Sequence, residues 1–270
     1  MNPLALVVLA FYICLSINYL LGRRSSGQAL PQREGLEHLV LATTLLLHAP
    51  LAFGPLAAGE IPRFGAKEGI LLLAWLSAAL YWTAGFFYKL EGMQGIVLPL
   101  ASLSLLVSLF LPSGHPVLHF SSVLFKIHFI IAMLSYGFLA MAAGLAVLML
   151  MAHRQLHEHR RFTVFGQLPP LLSLEKLLFY AITTGFVLLT FTLFSGVLFS
   201  EAIFGHGVTL SHKTVFAILS WIVFGALLAG HHWYGWRGKL AANWTLGGFS
   251  LLLLAYIGSR FVLEVILGRI

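Results

Sequence analysis

The sequence predicts an all-α fold, a polytopic transmembrane helical bundle of about eight spans with both termini outside. Three observations predict it. Of 270 residues, 59% are hydrophobic and 9% are charged, whereas soluble domains carry roughly 25% charged residues. Apolar runs recur along the chain, each close to the ~20 residues that cross ~30 Å of hydrocarbon. Basic residues gather at the ends of these runs.

The predicted spans follow one another without a separate soluble domain. They lie at about 3–21, 36–58, 69–87, 93–111, 124–151, 176–200, 213–230 and 245–267. The first run is not a signal peptide, because Arg23 and Arg24 follow it and no charged side chain precedes it. This order of charge predicts an N-terminus on the outer side.

The distribution of basic residues predicts the topology of the remaining spans. Ten of the sixteen lysines and arginines fall on the inner side, as the positive-inside rule requires. In a bacterium the outer side is the periplasm, so the predicted location is the bacterial cytoplasmic (inner) membrane. The chain is then one integral membrane domain, residues 1–270. It divides into a five-span half (1–152), an inner-face connector (153–175) and a three-span half (176–270).

Composition and motifs exclude several classes of protein. The chain has no Gly-rich phosphate loop, nucleophile elbow or paired carboxylates, so no catalytic constellation predicts an enzyme. Cys14 is the single cysteine, which excludes a disulfide framework and a covalent haem attachment motif. The net charge of +7 follows from topology and does not predict a nucleic-acid partner.

Histidine is the most abundant side chain able to carry chemistry, with twelve copies. A neutral imidazole ligates haem iron and tolerates burial better than a charged group. His128 lies about one turn into the fifth span, on a face that continues through Ala132, Ser135 and Ala142. These small residues allow a flat ring or another helix to approach closely. The alternative is a histidine that is simply hydrogen-bonded across helices.

His212 and its neighbour Lys213 stand at the outer start of the seventh span, on the same membrane surface as His128. Two histidines on separate helices at one depth are able to ligate one iron from opposite faces. Both are therefore candidate metal ligands for haem iron. An ordinary interfacial histidine is the competing interpretation for His212.

Three further histidines lie inside or at the ends of spans. His48 is near the middle of the second span, just before Pro50, and a polar group at that depth is a functional candidate. His231 and His232 fall at the inner end of the seventh span. Trp233, which follows them, favours an aromatic belt as the competing explanation.

Other charged and histidine-rich segments have structural interpretations. The cluster of His153, His157 and His159 includes one i, i+4 pair, yet its interleaved arginines favour a positive-inside helix end. His115 and His119 flank Pro116 and are interpreted as loop residues.

A cationic rim is the last candidate feature. Arg260 and Glu264, four residues apart in the last span, form a structural pair in the simplest interpretation. Alternatively, Arg260 joins Lys126 and Lys213 in a rim for haem propionates.

The second half of the chain resembles a known family. The segments that carry the resemblance are Gly235-Trp236-Arg237-Gly238, Gly248-Phe249, Leu254 through Glu264, His128 with Met133 through Gly137, and Leu210 through Val215. Together they are similar to the cytochrome c assembly family of CcsA- and CcmC-like membrane proteins, in the branch of YpjD- and HemX-like inner-membrane proteins.

The resemblance implies a protein that binds and handles haem, with haem b as the cofactor. Its implied partners are the lipid bilayer, haem, and another membrane protein or apocytochrome c. The family presents haem on a tryptophan-rich outer loop (the WWD motif), but residues 205–214 contain no tryptophan. The family's histidine near the C-terminal end has no counterpart in this sequence, because the matching position falls near Leu267.

Two other functions stay open. One is a regulatory or scaffold subunit, HemX-like in tetrapyrrole control, that does not transfer haem. The other, a small-solute transporter, has less support because the spans carry few ionisable groups.

Overall fold

A computed structural model of the chain describes residues 3–25, 31–57, 62–88, 90, 92–116, 122–158, 170–204 and 212–255. Within these residues the chain forms eight helices and one short β-ladder, and each predicted apolar run overlaps one helix. The helices are α1 (Pro3–Ser25), α2 (Pro31–Ala57), α3 (Ala66–Ala84), α4 (Gln94–Ser108), α5 (Val123–Glu158), α6 (Leu171–Phe204), α7 (His212–Tyr234) and α8 (Gly238–Leu253). The last run, 245–267, overlaps α8 only over residues 245–253, and its part beyond residue 255 lies outside the described residues.

Five of these helices are long and apolar enough to cross a membrane: α1, α2, α5, α6 and α7. Helix α4 is apolar but has 15 residues. Helix α3 carries Lys67 and Glu68 in its first turn, and α8 spans 16 residues. The fold is therefore a helical membrane bundle, whereas the count of eight spans and the outer placement of both termini stay predictions.

The helices pack as two rings of four. Helix α1 contacts α2 and α4, and α3 contacts the same two helices, so that α1–α4 close a ring. Helices α5–α8 repeat this order, with α5 and α7 each contacting α6 and α8. A contact between α3 and α5 joins the rings. Consecutive antiparallel helices place the start of α5 and the end of α7 at opposite ends of the second ring.

Serine and glycine bring helices together in the second ring. The buried Ser135 hydroxyl of α5 donates to the Gly185 carbonyl of α6 at 2.9 Å. Ser220 of α7 donates to the Gly248 carbonyl of α8 at 2.9 Å in the same way. A Cβ at residue 185 would lie 2.7 Å from the side chain of Leu139. Glycine thus permits the close backbone approach that small residues provide in membrane helices.

Tryptophans tie the third helix of each ring to the second. The indole N–H of Trp75 in α3 donates to the Leu45 carbonyl of α2 at 2.9 Å. In the other ring, Trp221 of α7 donates to the Thr190 hydroxyl of α6 at 2.9 Å. Each bond gives an indole donor a partner inside the bundle, where water does not supply one.

A two-residue ladder, which the sequence analysis did not predict, joins the α2–α3 and α4–α5 loops. Strands β1 (Arg63–Phe64) and β2 (His115–Pro116) pair antiparallel. The buried Glu68 carboxylate accepts the backbone N–H groups of Gly65 at 2.9 Å and Gly114 at 3.1 Å. A buried carboxylate is stable only when its oxygens are paired, and here the pairing fixes the two loops to each other.

The connector predicted at 153–175 is shorter than expected. Helix α5 continues to Glu158 and α6 begins at Leu171, because a helix extends beyond the hydrocarbon layer where its polar residues meet water. Residues 159–169 lie outside the described residues.

Gly114→Ala tests whether the ladder needs glycine. A Cβ at residue 114 would meet the backbone of Phe64 and Gly65, and we expect a loss of ~1–3 kcal/mol of stability from this overpacking. Gly247→Ala is the matched control, because a Cβ there meets nothing within 4 Å. Thermal unfolding in detergent compares the two variants. Equal unfolding midpoints would contradict the requirement of the ladder for glycine at residue 114.

Candidate functional site

His128 projects from the first turns of α5 onto α6. Its Nδ1 lies 2.7 Å from the Ser195 hydroxyl, and that hydroxyl donates to the Thr192 carbonyl at 3.1 Å. Both hydrogen bonds form together only when Nδ1 carries the proton and donates to Ser195, while the Ser195 hydroxyl donates to Thr192. The neutral ring then has its lone pair on Nε2, which is the form that ligates iron.

The small-residue face predicted for α5 is buried. Ala132, Ser135 and Ala142 are all buried, and α6 approaches this face at Ser135. Beside His128, α6 presents Gly196, where a Cβ would lie 3.5 Å from the imidazole Cε1. The sequence predicted that a flat ring or another helix approaches this face, and the structure places a helix, α6, against it. At Gly196, α6 has no side chain beside the edge of the imidazole.

His212 begins α7 and is exposed. In the described part of the chain it has neither a hydrogen bond nor a ring contact. Lys126 is exposed and Lys213 is half-buried, both near the ends of the helices where α5 and α7 start. Arg260 and Glu264 lie outside the described residues. The role of His212 as the opposing ligand, and the cationic rim, stay predictions.

His231 lies at the opposite end of the second ring, in a turn that is closed by hydrogen bonds. The backbone N–H of Trp236 donates to the Gly230 carbonyl at 3.1 Å, and His231 Nδ1 donates to the Trp236 carbonyl at 2.9 Å. The turn uses positive φ angles of 68° at Gly235 and 57° at Gly238, which glycine adopts without strain. Since a carbonyl only accepts, the lone pair of His231 is on Nε2.

The surroundings of His231 distinguish it from His232. Phe179 of α6 stacks on the His231 ring with centroids 3.6 Å apart. His232 is exposed, as are Trp233 and Tyr234, which agrees with an aromatic belt at the membrane surface. Of the two neighbours, His231 is the one with a fixed tautomer and orientation.

His48 is fully buried between α1 and α2. Its Nδ1 lies 3.2 Å from the Tyr12 hydroxyl, and its Nε2 has no hydrogen-bond partner in the described residues. If Tyr12 donates, only Nε2–H is unsatisfied, whereas the reverse direction would leave two groups unsatisfied. His48 therefore presents a donor at Nε2. An iron ligand needs a lone pair there, so the geometry favours His128 and His231 over His48, whose cofactor role stays a prediction.

The inner-face histidine cluster lies only partly within the described residues. No group of three or more histidine, cysteine or acidic residues is placed to hold a metal ion there. His153 is half-buried near the end of α5, while His159 and also His119 lie outside the described residues.

An apolar groove of about 220 Å³ lies between α6 and α7. Its lining residues are Thr190, Leu193, Phe194, Val197, Ile218 and Trp221. Phe194 and Val197 are near Ser195 in sequence, but the turn of about 100° per residue in a helix directs the groove-lining positions away from Ser195, so the groove and His128 lie on different faces of α6. The groove offers an apolar surface at the depth of that histidine.

The sequence analysis missed Ser195 and Gly196 as neighbours of His128, and Tyr12 as the partner of His48. A polar residue within an apolar run is the available signal, since polar side chains in lipid bond across helices. That signal identifies the residue but not its partner on another helix. Trp236 was noted as part of a family segment, yet its carbonyl contact follows only from the folded turn.

The fold and site define a multi-helix membrane protein in which His128 and His231 lie near opposite ends of one helical ring. This chain belongs to the cytochrome c assembly family, since the family model described as "Cytochrome C assembly protein" matches residues 65–267. The match confirms the family resemblance predicted from sequence and includes most of the described site.

Individual relatives agree with this assignment. The chain is 31% identical over 172 residues to "Inner membrane protein YpjD" of Escherichia coli (strain K12), an alignment that spans 63% of this chain and 64% of that protein, just under two thirds of its length. It is 25% identical over 255 residues to "Cytochrome c biogenesis protein CcsA" of Trieres chinensis, covering 82% of each chain. A CcsA protein of Prochlorococcus marinus is 24% identical over 253 residues, covering 83% of this chain and 80% of that protein. The HemX-like branch stays a prediction.

Tyr12→Phe tests the buried pair. It leaves both nitrogens of His48 without partners, at a cost of ~1–3 kcal/mol. The double variant Tyr12→Phe/His48→Leu replaces both polar groups by apolar ones and should be more stable than Tyr12→Phe alone. Thermal unfolding in lipid nanodiscs compares the stability of the two variants. A double variant less stable than Tyr12→Phe would refute the hydrogen bond between Tyr12 and His48.

Proposed function

We propose that this protein binds haem in the membrane and handles it for another protein, without catalysis of its own. One observation carries the proposal: Nδ1 of His128 lies 2.7 Å from the Ser195 hydroxyl oxygen, and Nδ1 of His231 lies 2.9 Å from the Trp236 carbonyl oxygen, so each ring has an acceptor for an Nδ1 proton. Metal-ligating histidines share this feature, because the second bond orients the ring and raises the basicity of Nε2. Membership in the cytochrome c assembly family supports the same ligand.

The residues around His128 fit a haem. Neutral imidazole is a common iron ligand, and Gly196 places no side chain against the ring edge. Bound haem supplies an iron centre that accepts a nitrogen ligand on each face. With Cys14 as its single cysteine, the chain holds such a group without covalent attachment, which supports haem b.

The outer site would use His128 as one ligand and His212 as the opposing one. Both lie near the starts of parallel helices, α5 and α7. Lys126, Lys213 and Arg260 are the cations proposed to pair with the propionates. Charge pairing of this kind is strong where water is scarce.

His231 would serve a second, inner site. It lies 19 residues beyond His212 on α7, which is roughly 28 Å along a helix. One iron cannot bind at both ends of the ring, so His128 and His231 belong to different sites. Sites at the two ends suit a protein that receives haem on one side of the membrane and presents it on the other.

The proposed location is the bacterial cytoplasmic membrane, which the name of the YpjD relative supports. The partner that receives haem would be apocytochrome c or another membrane protein. The name of the CcsA relatives supports the former, since it refers to cytochrome c biogenesis.

A regulatory or scaffold subunit that does not transfer haem is the second candidate. Residues 205–214 contain no tryptophan, so the segment corresponding to the family's outer loop is degenerate. The lack of tryptophan in this segment favours a protein that does not transfer haem. A partner protein that co-purifies with a haem-free chain would support this candidate over the first.

Absorbance of the purified protein tests haem binding. Protein from haem-replete cells should show a Soret band, and His128→Ala should lose a large part of it because iron loses a ligand. His153→Ala, near the other end of the same helix, is the control and should keep the band. A wild-type protein with no Soret absorbance, or a His128→Ala variant identical to it, would rule out the outer site.

Gly196→Leu tests the open ring edge. A Cβ at residue 196 only reaches van der Waals distance of His128, 3.5 Å from Cε1, so Gly196→Ala should bind haem normally. A leucine side chain would fill the space beside the ring, and we expect occupancy at the outer site to fall at least about tenfold, the size of a lost supporting contact. Gly247→Leu in α8 is the matched control. Equal haem content in all three variants would contradict the proposal.

A further inference from the structure

We propose that Ser195 is a positioning residue that holds the proton of His128 on Nδ1 and aims Nε2 at the ligand. The inference rests on the proposed function of His128 as an iron ligand. It adds a residue on a different helix that acts through His128 and does not touch the iron.

A short chain of hydrogen bonds carries the argument. His128 Nδ1 lies 2.7 Å from Ser195 Oγ, and Oγ lies 3.1 Å from the Thr192 carbonyl oxygen. With the hydroxyl hydrogen directed at Thr192, the imidazole N–H, the hydroxyl and the carbonyl are all paired in one direction. Hydrogen bonds in such a series polarise one another and become stronger.

The reverse direction is less favourable. If Ser195 donated to Nδ1, its oxygen and the Thr192 carbonyl oxygen would face each other at 3.1 Å without a hydrogen between them. The Thr192 hydroxyl does not relieve this, because it donates to the Leu188 carbonyl at 2.9 Å. The network therefore selects one tautomer of His128, with the lone pair on Nε2.

The packing of α5 on α6 holds the network in place. Ser135, two turns from His128 on the same face of α5, bonds to the Gly185 carbonyl of α6. A fixed helix pair keeps Ser195 opposite the imidazole whether or not a ligand is present. The cost of orienting the ring is then met by folding, which is how preorganised sites gain affinity.

His231 shows the same arrangement with a different acceptor. There a backbone carbonyl, that of Trp236, receives the Nδ1 proton, and no side-chain substitution removes it. His128 uses a side-chain acceptor instead, so its orientation alone is open to mutation. This difference allows an internal comparison within one protein.

Ser195→Ala, Ser195→Thr and His128→Ala, made in the full chain in nanodiscs, test the inference. Haemin titration gives the affinity, and the low-spin electron paramagnetic resonance signal with the midpoint potential reports the ligand field. Ser195→Ala should bind haemin about 10–100-fold more weakly, the usual effect of losing such a support, with an altered signal and potential. Ser195→Thr keeps the hydroxyl and should restore all three.

Controls separate the possible outcomes. Ser104→Ala removes a hydroxyl that bonds only within α4, to the Leu100 carbonyl, and should match wild type. Wild-type values for Ser195→Ala beside a defective His128→Ala would overturn the positioning role alone. Equal losses in Ser195→Ala and Ser195→Thr would also overturn it, because the hydroxyl would then be irrelevant. Normal binding by His128→Ala would overturn the proposed outer site, and this inference with it.

Discussion

Helices α5 and α6 meet at Gly185, where a hydrogen in place of a side chain allows the Ser135 hydroxyl to reach a backbone carbonyl. The geometry of the outer site depends on this contact. His128 lies two turns away on the same face of α5 and reaches Ser195 on α6 only if the helices keep this spacing and register. In lipid, apolar surface does not by itself distinguish a helix from an acyl chain. Small residues and hydrogen bonds therefore determine which helices pair.

The same constraint explains other polar residues in the bundle. Ser220 bonds to the Gly248 carbonyl, and the indoles of Trp75 and Trp221 bond to the second helix of their rings. Each donor is satisfied inside the protein. His48 differs, because its buried Nε2 has no partner in the described residues. A buried group without a hydrogen-bond partner lowers the stability of the fold. The interior of the first ring therefore contains more polar groups than the packing of its helices requires.

The helices themselves were largely predictable from sequence. Hydrocarbon thickness sets the length of an apolar run, and every predicted run overlaps a helix within the described residues. Boundaries were less predictable, since α8 begins at Gly238 and α5 continues to Glu158, beyond the apolar residues that identified them. The ladder held by Glu68 was not predicted, because two loops far apart in sequence supply its partners.

The site was predictable as a set of residue types and not as an arrangement. Predicted depth and side-chain chemistry identify a set of candidate histidines from sequence alone, and this set includes His128, His231 and His232. The tautomers of His128 and His231 depend on an acceptor that another helix or a folded turn supplies, Ser195 in one case and Trp236 in the other. Periodicity within one helix holds no information about that acceptor. For the same reason the sequence does not distinguish His231 from His232, because these neighbours differ mainly in their surroundings in the folded turn.

Nitrogen chemical shifts of the ligand-free protein test the central claim most directly. Solid-state NMR of the ¹⁵N-histidine-labelled chain in lipid, with His128→Gln to assign the signals, reports which ring nitrogen carries the proton. We expect a protonated Nδ1 and an unprotonated Nε2 for His128, and the opposite pattern for His48. A His128 with its proton on Nε2 would contradict this expectation.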